Sequence, residues 1–375
     1  MKLRVDHDLF ADAVSWVART IPHRPAVPVL AGMKIEANEN GTVSLSSRDS
    51  DITSHVNIDA DVIEEGEILV NGRLLADICR ALPRDTIDFS LDGSKVEIEC
   101  GSAHFSMKSM TMDDYTETEE FSEVSGTVDG AEWLEAVNQV TIAASNDDTL
   151  PMLVSVCIEI EGPKLTLMAT DRYRLAVKTM NWQPKDPNIS RRILVRAQRL
   201  SDVAKALGTA GPVDVYLGDE DKSFMIGFSG AGRQNMIQLI DGDYPQVLSL
   251  FPAESESSAV IDRATLLDAI KRSRLVAEKN SAVRLTLSDG ELVLEAGQGD
   301  AAQASEAVPA TVDGKDITLA FNPIFLQEGI SVMNQDAVKI SYTQENKPAV
   351  MVGCSADGVE DDSFRLLLMT IRFYK

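Results

Sequence analysis

Three stretches decide how this chain is organised: DHDLFADAV at residues 6–14, DGAEWLEAV at 129–137 and DRATLLDAI at 262–270. Each opens on Asp, places a large apolar residue four positions on (Phe10, Trp133, Leu266), then an acidic residue followed by Ala and Val or Ile. An Asp so placed can accept hydrogen bonds from the free amides of a helix's first turn. The apolar positions recur at helical spacing, so each copy reads as the start of an amphipathic helix.

The likeness continues down each copy. After each helix comes an alternating run, GTVSLSS (41–47), GPKLTLMAT (162–170) and DGELVLEA (289–296), the period-2 pattern of a strand with one buried face. A second helix follows in NGRLLADICRALP (71–83), RAQRLSDVAKAL (196–207) and NPIFLQEGISVMN (322–334). More alternation closes each copy, as TIDFSLDGSKVEIEC, PVDVYLGDEDKSFMIGF and AVKISYTQENKPAVMVG. The fold class is therefore α+β, three tandem copies of one unit that itself holds two helix-plus-strands halves. The acidic MDDYTETEEFSEVSG and the Pro- and Ser-rich FPAESESS interrupt the apolar pattern and set the expected domains at 1–126, 127–255 and 256–375.

With 375 residues and 44% hydrophobic content, the chain can bury sizeable cores. It has no apolar run of membrane-spanning length, and MKLRVDHDLF carries charges where a signal peptide needs an apolar region, so a cytoplasmic location is expected. Cys79, Cys100, Cys157 and Cys354 lie far apart in apolar segments, as reduced core thiols do. The four histidines show no metal-binding spacing, and no cofactor or metal is expected.

The net charge of −24 at first argues against nucleic acid. The six helical segments nevertheless carry a slight positive balance, so the acidity sits in the strands and loops. Helices lining one surface in threefold repeat would make that surface a track for a phosphate backbone, read without base contacts. Arg24, in IPHRPAVPVL, would touch phosphate from a loop.

The middle copy alone carries ATDRYRLA (169–176); the corresponding stretches are SSRDSDIT in the first copy and EAGQGDAA in the third. Together with IPHRPAVPVL, GRLLADICRALP, IDGDYP and the last strand LLLMTIR, it makes the chain resemble, end to end, the bacterial sliding clamps, the beta subunits of DNA polymerase III. That resemblance implies a head-to-tail homodimer closing six DNA-clamp domains into a ring, with helices facing an encircled duplex. It implies a processivity factor with no catalytic site, although the holoenzyme it serves is a polymerase, and a location at the nucleoid.

The resemblance also implies a pocket for short peptides of the polymerase III catalytic subunit, the clamp loader and other polymerases or repair proteins. Carried over by residue, its walls are Leu153, Thr170, Arg172, Tyr173, Arg174 and Leu175, with Pro245 and Leu250, and Pro348, Leu367, Met369, Thr370, Ile371 and Arg372. The family usually has Pro where Thr370 stands and ends near Phe373. DNA contacts are expected from Arg24, Arg73, Arg80, Arg196, Arg199 and Lys205, and a dimer interface from Phe105 and Met107 against Leu275 and Val276.

Two other readings start from the same residues. Asp113, Asp114, Glu117, Glu119 and Glu120 could hold metals for phosphodiester cleavage, although a low-hydrophobicity loop without His or Lys fits a solvated linker better. An acidic scaffold that attracts basic proteins without encircling DNA is the other.

Overall fold

The computed structural model describes residues 1–115, 123–209, 211–218, 224–277, 281–288, 290–297 and 302–372. Six helices stand among them: α1 His7–Val17, α2 Gly72–Ala81, α3 Gly130–Thr141, α4 Ala197–Leu207, α5 Arg263–Ser273 and α6 Pro323–Ser331. Asp6 and Asp262 cap their helices as the sequence predicts. Asp6 accepts from the Leu9 amide at 3.0 Å and Asp262 from the Thr265 amide at 2.8 Å. The second helices of the first and third copies use asparagine for the same purpose, Asn71 accepting from Leu74 and Asn322 from Ile324.

The alternating runs become strands whose buried face follows the pattern. In Thr42–Arg48, Val43, Leu45 and Ser47 are buried and the residues between them are not. Every strand pairing is antiparallel, and the pairings build two extended sheets of 14 and 12 strands among the described residues. Each sheet belongs to one compact unit. The first comprises Met1–Ala131, Gln183–Asp186 and Asp202–Leu239; the second comprises Glu132–Trp182, Pro187–Ser201 and Ile240–Lys375.

The middle copy is thus shared between the units, and the reason lies in its strand edges. Its strand Arg233–Gln238 pairs with Ile52–Asp59 of the first copy, Met236 opposite Thr53. Its strand Arg174–Asn181 pairs with Glu360–Leu368 of the third, Arg174 opposite Leu368. Backbone hydrogen bonding therefore runs from copy to copy, which leaves fewer bare sheet edges than three separate domains would expose.

Within the first unit α1 packs beside α2 and over the strands Thr42–Arg48 and Ile52–Asp59, with Phe10 tilted against Phe89 at 6.0 Å. In the second unit α5 packs beside α6, and α6 lies on Glu360–Leu368. That last approach needs a glycine: a Cβ on Gly329 would stand 2.1 Å from Leu366 Cδ2. Ala or larger there would force the Leu366 side chain to move. Among the described residues no helix is long and apolar enough to cross a membrane.

Candidate functional site

The turn after Lys164–Thr170 is built by its own side chains. The Asp171 carboxylate accepts from the backbone amides of Tyr173 and Arg174, both at 3.0 Å. The Thr170 hydroxyl donates to the Arg174 carbonyl at 2.7 Å and accepts from the Arg172 amide at 3.2 Å. These bonds hold Arg172 at a φ of 78°, a left-handed conformation that costs a non-glycine residue about 1–2 kcal/mol. The outcome is a tight reversal that pushes Tyr173 outward, 61% exposed.

Arg174 goes the other way. It is only 7% exposed, donating from Nε to Asp171 at 2.9 Å and from Nη1 to Glu328 at 2.6 Å. Its guanidinium lies 4.2 Å from the Phe325 ring centroid, and the Tyr173 ring lies 6.4 Å from the same ring. A buried charge needs such partners, because an unpaired one costs several kcal/mol. Arg174, expected in the cleft wall, is therefore a strut beneath it. Arg172 is exposed, and its charge helps hold the Asp147 carboxyl below its ordinary range, an effect led by hydrogen bonds from Thr149.

Beneath the turn lies one apolar floor. Leu175 sits opposite Leu367 in the sheet, and both are buried with Cys157, Met168, Leu194, Tyr244 and Val247, packed by Met152, Ile240 and Phe251. Burial pushes the Cys157 thiol and the Tyr244 phenol up, so both stay neutral. Tyr173, Leu248, Leu250, Ile324, Met369 and Ile371 are among the large apolar residues that this unit leaves exposed; Leu248 follows the buried Val247, and Met369 follows the buried Leu367 and Leu368. Pro245 is exposed beside Tyr244, while Leu153 and Pro348 are half-buried.

Met369 and Ile371, near the end of the described residues, are fixed by the backbone. Met369 donates to the Tyr173 carbonyl at 2.8 Å and Ile371 to the Ala320 carbonyl at 2.8 Å. Thr370 reaches the Lys347 carbonyl through its hydroxyl at 3.4 Å, a long contact that a proline could not make. Arg372 is exposed. Sequence reasoning missed Phe325, Glu328, Leu248 and the floor residues Tyr244 and Val247. For Leu248 and Val247 a signal existed, since DYPQVLSLFP is more apolar than a linker requires.

The basic residues occupy other surfaces. In the first unit a cleft of about 640 Å³ lies between α1 and α2, lined by Arg19, His23, Arg73 and Arg80, with Asp77 the acidic residue among its lining. Arg80 pairs with Asp77 at 2.9 Å and Arg73 donates to the Ile21 carbonyl, while Arg24 is exposed. Arg19 and His23 were not among the residues expected from sequence. In the middle copy Lys205 is exposed, Arg199 is half-buried, and Arg196 is bonded to Asp148 at 2.6 Å. Exposed pairs of this kind are worth about 1 kcal/mol or less, so a phosphate can replace the carboxylate.

The residues expected at a dimer contact divide. Phe105 is 37% exposed and Leu275 84%, and Val276 is half-buried, but Met107 is 7% exposed. Met107 packs inward because it sits opposite Val96 in the sheet, so it supports the surface instead of forming it. Two strand stretches have a free side among the described pairings: His104–Lys108 bonds only Lys95–Glu99, and Ser305–Pro309 bonds only Glu291–Glu295. All four cysteines are free and buried, Cys79 pushed up to about 12 by burial. Of the acidic stretch, Glu117, Glu119 and Glu120 lie outside the described residues.

Comparison with known proteins places this arrangement. Models of the N-terminal, central and C-terminal domains of the DNA polymerase III beta subunit match residues 1–119, 127–246 and 248–367. The beta sliding clamp of Streptomyces coelicolor is 46% identical over 374 residues, 99% of each chain. That of Micrococcus luteus is 47% identical over 313 residues, 84% of this chain and all of its own. The solved Bacillus subtilis sliding clamp superimposes with a TM-score of 0.92 at 23% identity, covering both chains fully. A Pseudomonas aeruginosa clamp bound to griselimycin gives 0.90 at 22% identity, again over the whole of both chains.

The fold is that of three tandem clamp domains. The chain belongs to the DNA polymerase III beta subunit family, the beta sliding clamps of bacteria. It is a sliding clamp, a processivity factor and not an enzyme, and neither the scaffold nor the nuclease reading is favoured.

Proposed function

We propose that the apolar cleft of the second unit is where this clamp takes the short peptides of the proteins it tethers. The observation that carries the reading is that the exposed Tyr173, bonded through its carbonyl to Met369, and the exposed Leu248, next to the buried Val247, adjoin one buried apolar floor shared by the middle copy, the following loop and the last strand. Isolated exposed apolar residues are common, but a cluster of this kind marks an interaction site. Leucine and phenylalanine anchors of a peptide match it in chemistry. Met369 and Met152 supply side chains that adapt to different partners.

The polar duties fall elsewhere. Arg24, Arg73, Arg80, Arg196, Arg199 and Lys205, joined by Arg19 and His23, are proposed to meet phosphates of an encircled duplex without reading its sequence. The ring closes in this reading head to tail, with Phe105 and its free strand edge from one subunit meeting Leu275, Val276 and the Ser305–Pro309 edge of another. Copies bounded at residues 126 and 255 give six domains in such a ring. A cytoplasmic clamp working at the nucleoid is the setting these roles require.

Truncation after Leu368 tests the cleft. It removes Met369, Ile371 and the amides that bond Tyr173 and Ala320, and leaves the edges proposed for the dimer untouched. Binding of a peptide with leucine and phenylalanine anchors should drop by about thirtyfold or more, while sedimentation still shows a dimer. Unchanged affinity in that titration would place the peptide elsewhere.

A further inference from the structure

We propose that Glu328 is a positioning residue of the peptide cleft, orienting its aromatic wall through Arg174 without itself touching the peptide. This rests on the cleft being the peptide site. Glu328 stands on α6, one turn beyond Phe325, and its Oε2 accepts from Arg174 Nη1 at 2.6 Å. The same guanidinium is held on its other side by Asp171 through Nε, at 2.9 Å. Between these two carboxylates its orientation is fixed, with the Phe325 ring 4.2 Å away. Phe325 in turn neighbours the ring of Tyr173, at 6.4 Å and an interplanar angle of 31°.

The two carboxylates have separable duties. Asp171 also accepts from two backbone amides, so it builds the turn itself. Among the described residues Glu328 bonds the Arg174 side chain and not the turn's backbone; it fixes which way the guanidinium lies, and through it the Phe325 and Tyr173 rings. Its side chain is 44% exposed, and Arg174 keeps Asp171 when Glu328 loses its charge. A neutral Glu328→Gln variant is therefore expected to fold. The planar Arg174 guanidinium then loses one of the two charged partners that fix its orientation beside the ring, and the aromatic wall loses part of its backing.

An aromatic anchor of a bound peptide has its best partners in that wall, since paired rings favour offset or edge-to-face contact. A leucine anchor instead finds the aliphatic side made by Val247, Leu248 and Leu250. The consequence is a selective defect: Glu328→Gln should weaken recognition of the aromatic anchor and spare that of leucine.

The test uses the full-length dimer and three synthetic peptides: one with leucine and phenylalanine anchors, one with that Phe replaced by Ala, and one with that Leu replaced by Ala. Calorimetric titration of the first peptide should show about a tenfold loss in Glu328→Gln. The Phe-to-Ala peptide should bind wild type and variant alike, and the Leu-to-Ala peptide should suffer the full tenfold loss. Phe325→Leu, which leaves both carboxylates in place, should give the same pattern and serves if Glu328→Gln lowers the unfolding midpoint. Equal affinity of the first peptide for wild type and variant overturns the proposal. A loss of the same size for all three peptides also overturns it, because a general loosening of α6 would act on every peptide. Failure of wild type to bind the first peptide overturns the cleft as the peptide site, and this proposal with it.

Discussion

The strand junction between the first and middle copies and that between the middle and last copies share one backbone plan and differ in almost every side chain that matters. In both, a four-residue turn leads into a strand that pairs with the end of the next copy. The pairing is closed by one further bond, from Gln238 N to Asp51 O at 2.9 Å in the first case and from Met369 N to Tyr173 O at 2.8 Å in the second. Arg48 opposite Thr53 therefore corresponds to Thr170 opposite Leu175, which aligns Asp51 with Tyr173 and Ile52 with Arg174. This lies one position away from the alignment of SSRDSDIT with ATDRYRLA, because pairing across the turn, not residue type, sets the register. The corresponding EAGQGDAA of the third copy lies partly outside the described residues.

Chemistry separates the junctions. The first buries a small polar cluster, Asn235 donating to Ser54 Oγ at 2.6 Å with Thr20 beside it, and its arginine, Arg233, pairs with Asp12 over the Trp16 ring. The second buries a full charge between two carboxylates and turns its aromatic residue outward. A repeated backbone is thus a scaffold that carries a small buried polar cluster at one junction and a buried charge beside an exposed aromatic ring at the other.

The largest effect that sharpens this contrast concerns the two arginines. Arg174→Ala leaves Asp171 and Glu328 facing each other without their shared cation, and should lower stability by roughly 3 kcal/mol in urea unfolding. Arg233→Ala removes a pair whose side chains are 25% and 67% exposed, with a ring contact, and should cost about 1 kcal/mol. Equal costs would mean that the buried network is no more than a surface pair.

Binding gives the next contrast. Leu250→Asp puts a charge at the rim of the cleft and should weaken an anchored peptide by about 2 kcal/mol, near thirtyfold. Gln238→Asp, which places a charge at the position that matches Met369, should leave that affinity unchanged. A loss at Gln238 in a fluorescence-anisotropy titration would show that the first junction also takes peptide.

What the sequence made legible follows the range of the interactions. Helix caps and strand alternation are local, so Asp6, Asp262 and the run GTVSLSS announced their elements directly. The proposed peptide cleft was legible only through resemblance, and then as a set of wall residues. That Arg174 is a strut depends on Glu328, 154 residues further along, and no local pattern predicts which carboxylate a distant guanidinium meets. Met107 was misplaced for a related reason: alternation gives two faces, but which is covered depends on the layer above.

The smallest effect tests what the copies share, not what divides them. Asp6 and Asp262 open equivalent helices, and each accepts from the amide three residues on, so either change to Ala should cost about 1 kcal/mol at neutral pH. Asp262 also accepts from the Thr265 hydroxyl, and these bonds hold its carboxyl below the ordinary value of 3.8. A depressed carboxyl lends stability that is present above the ordinary value and disappears as pH falls through the lower, folded one. Wild type and Asp262→Ala should accordingly differ in unfolding midpoint at pH 7 and converge as the pH is taken below about 3.8. A gap that stays constant into acid would show that the neutral carboxyl caps the helix as well as the charged one, and that the helix dipole contributes nothing to this repeated start.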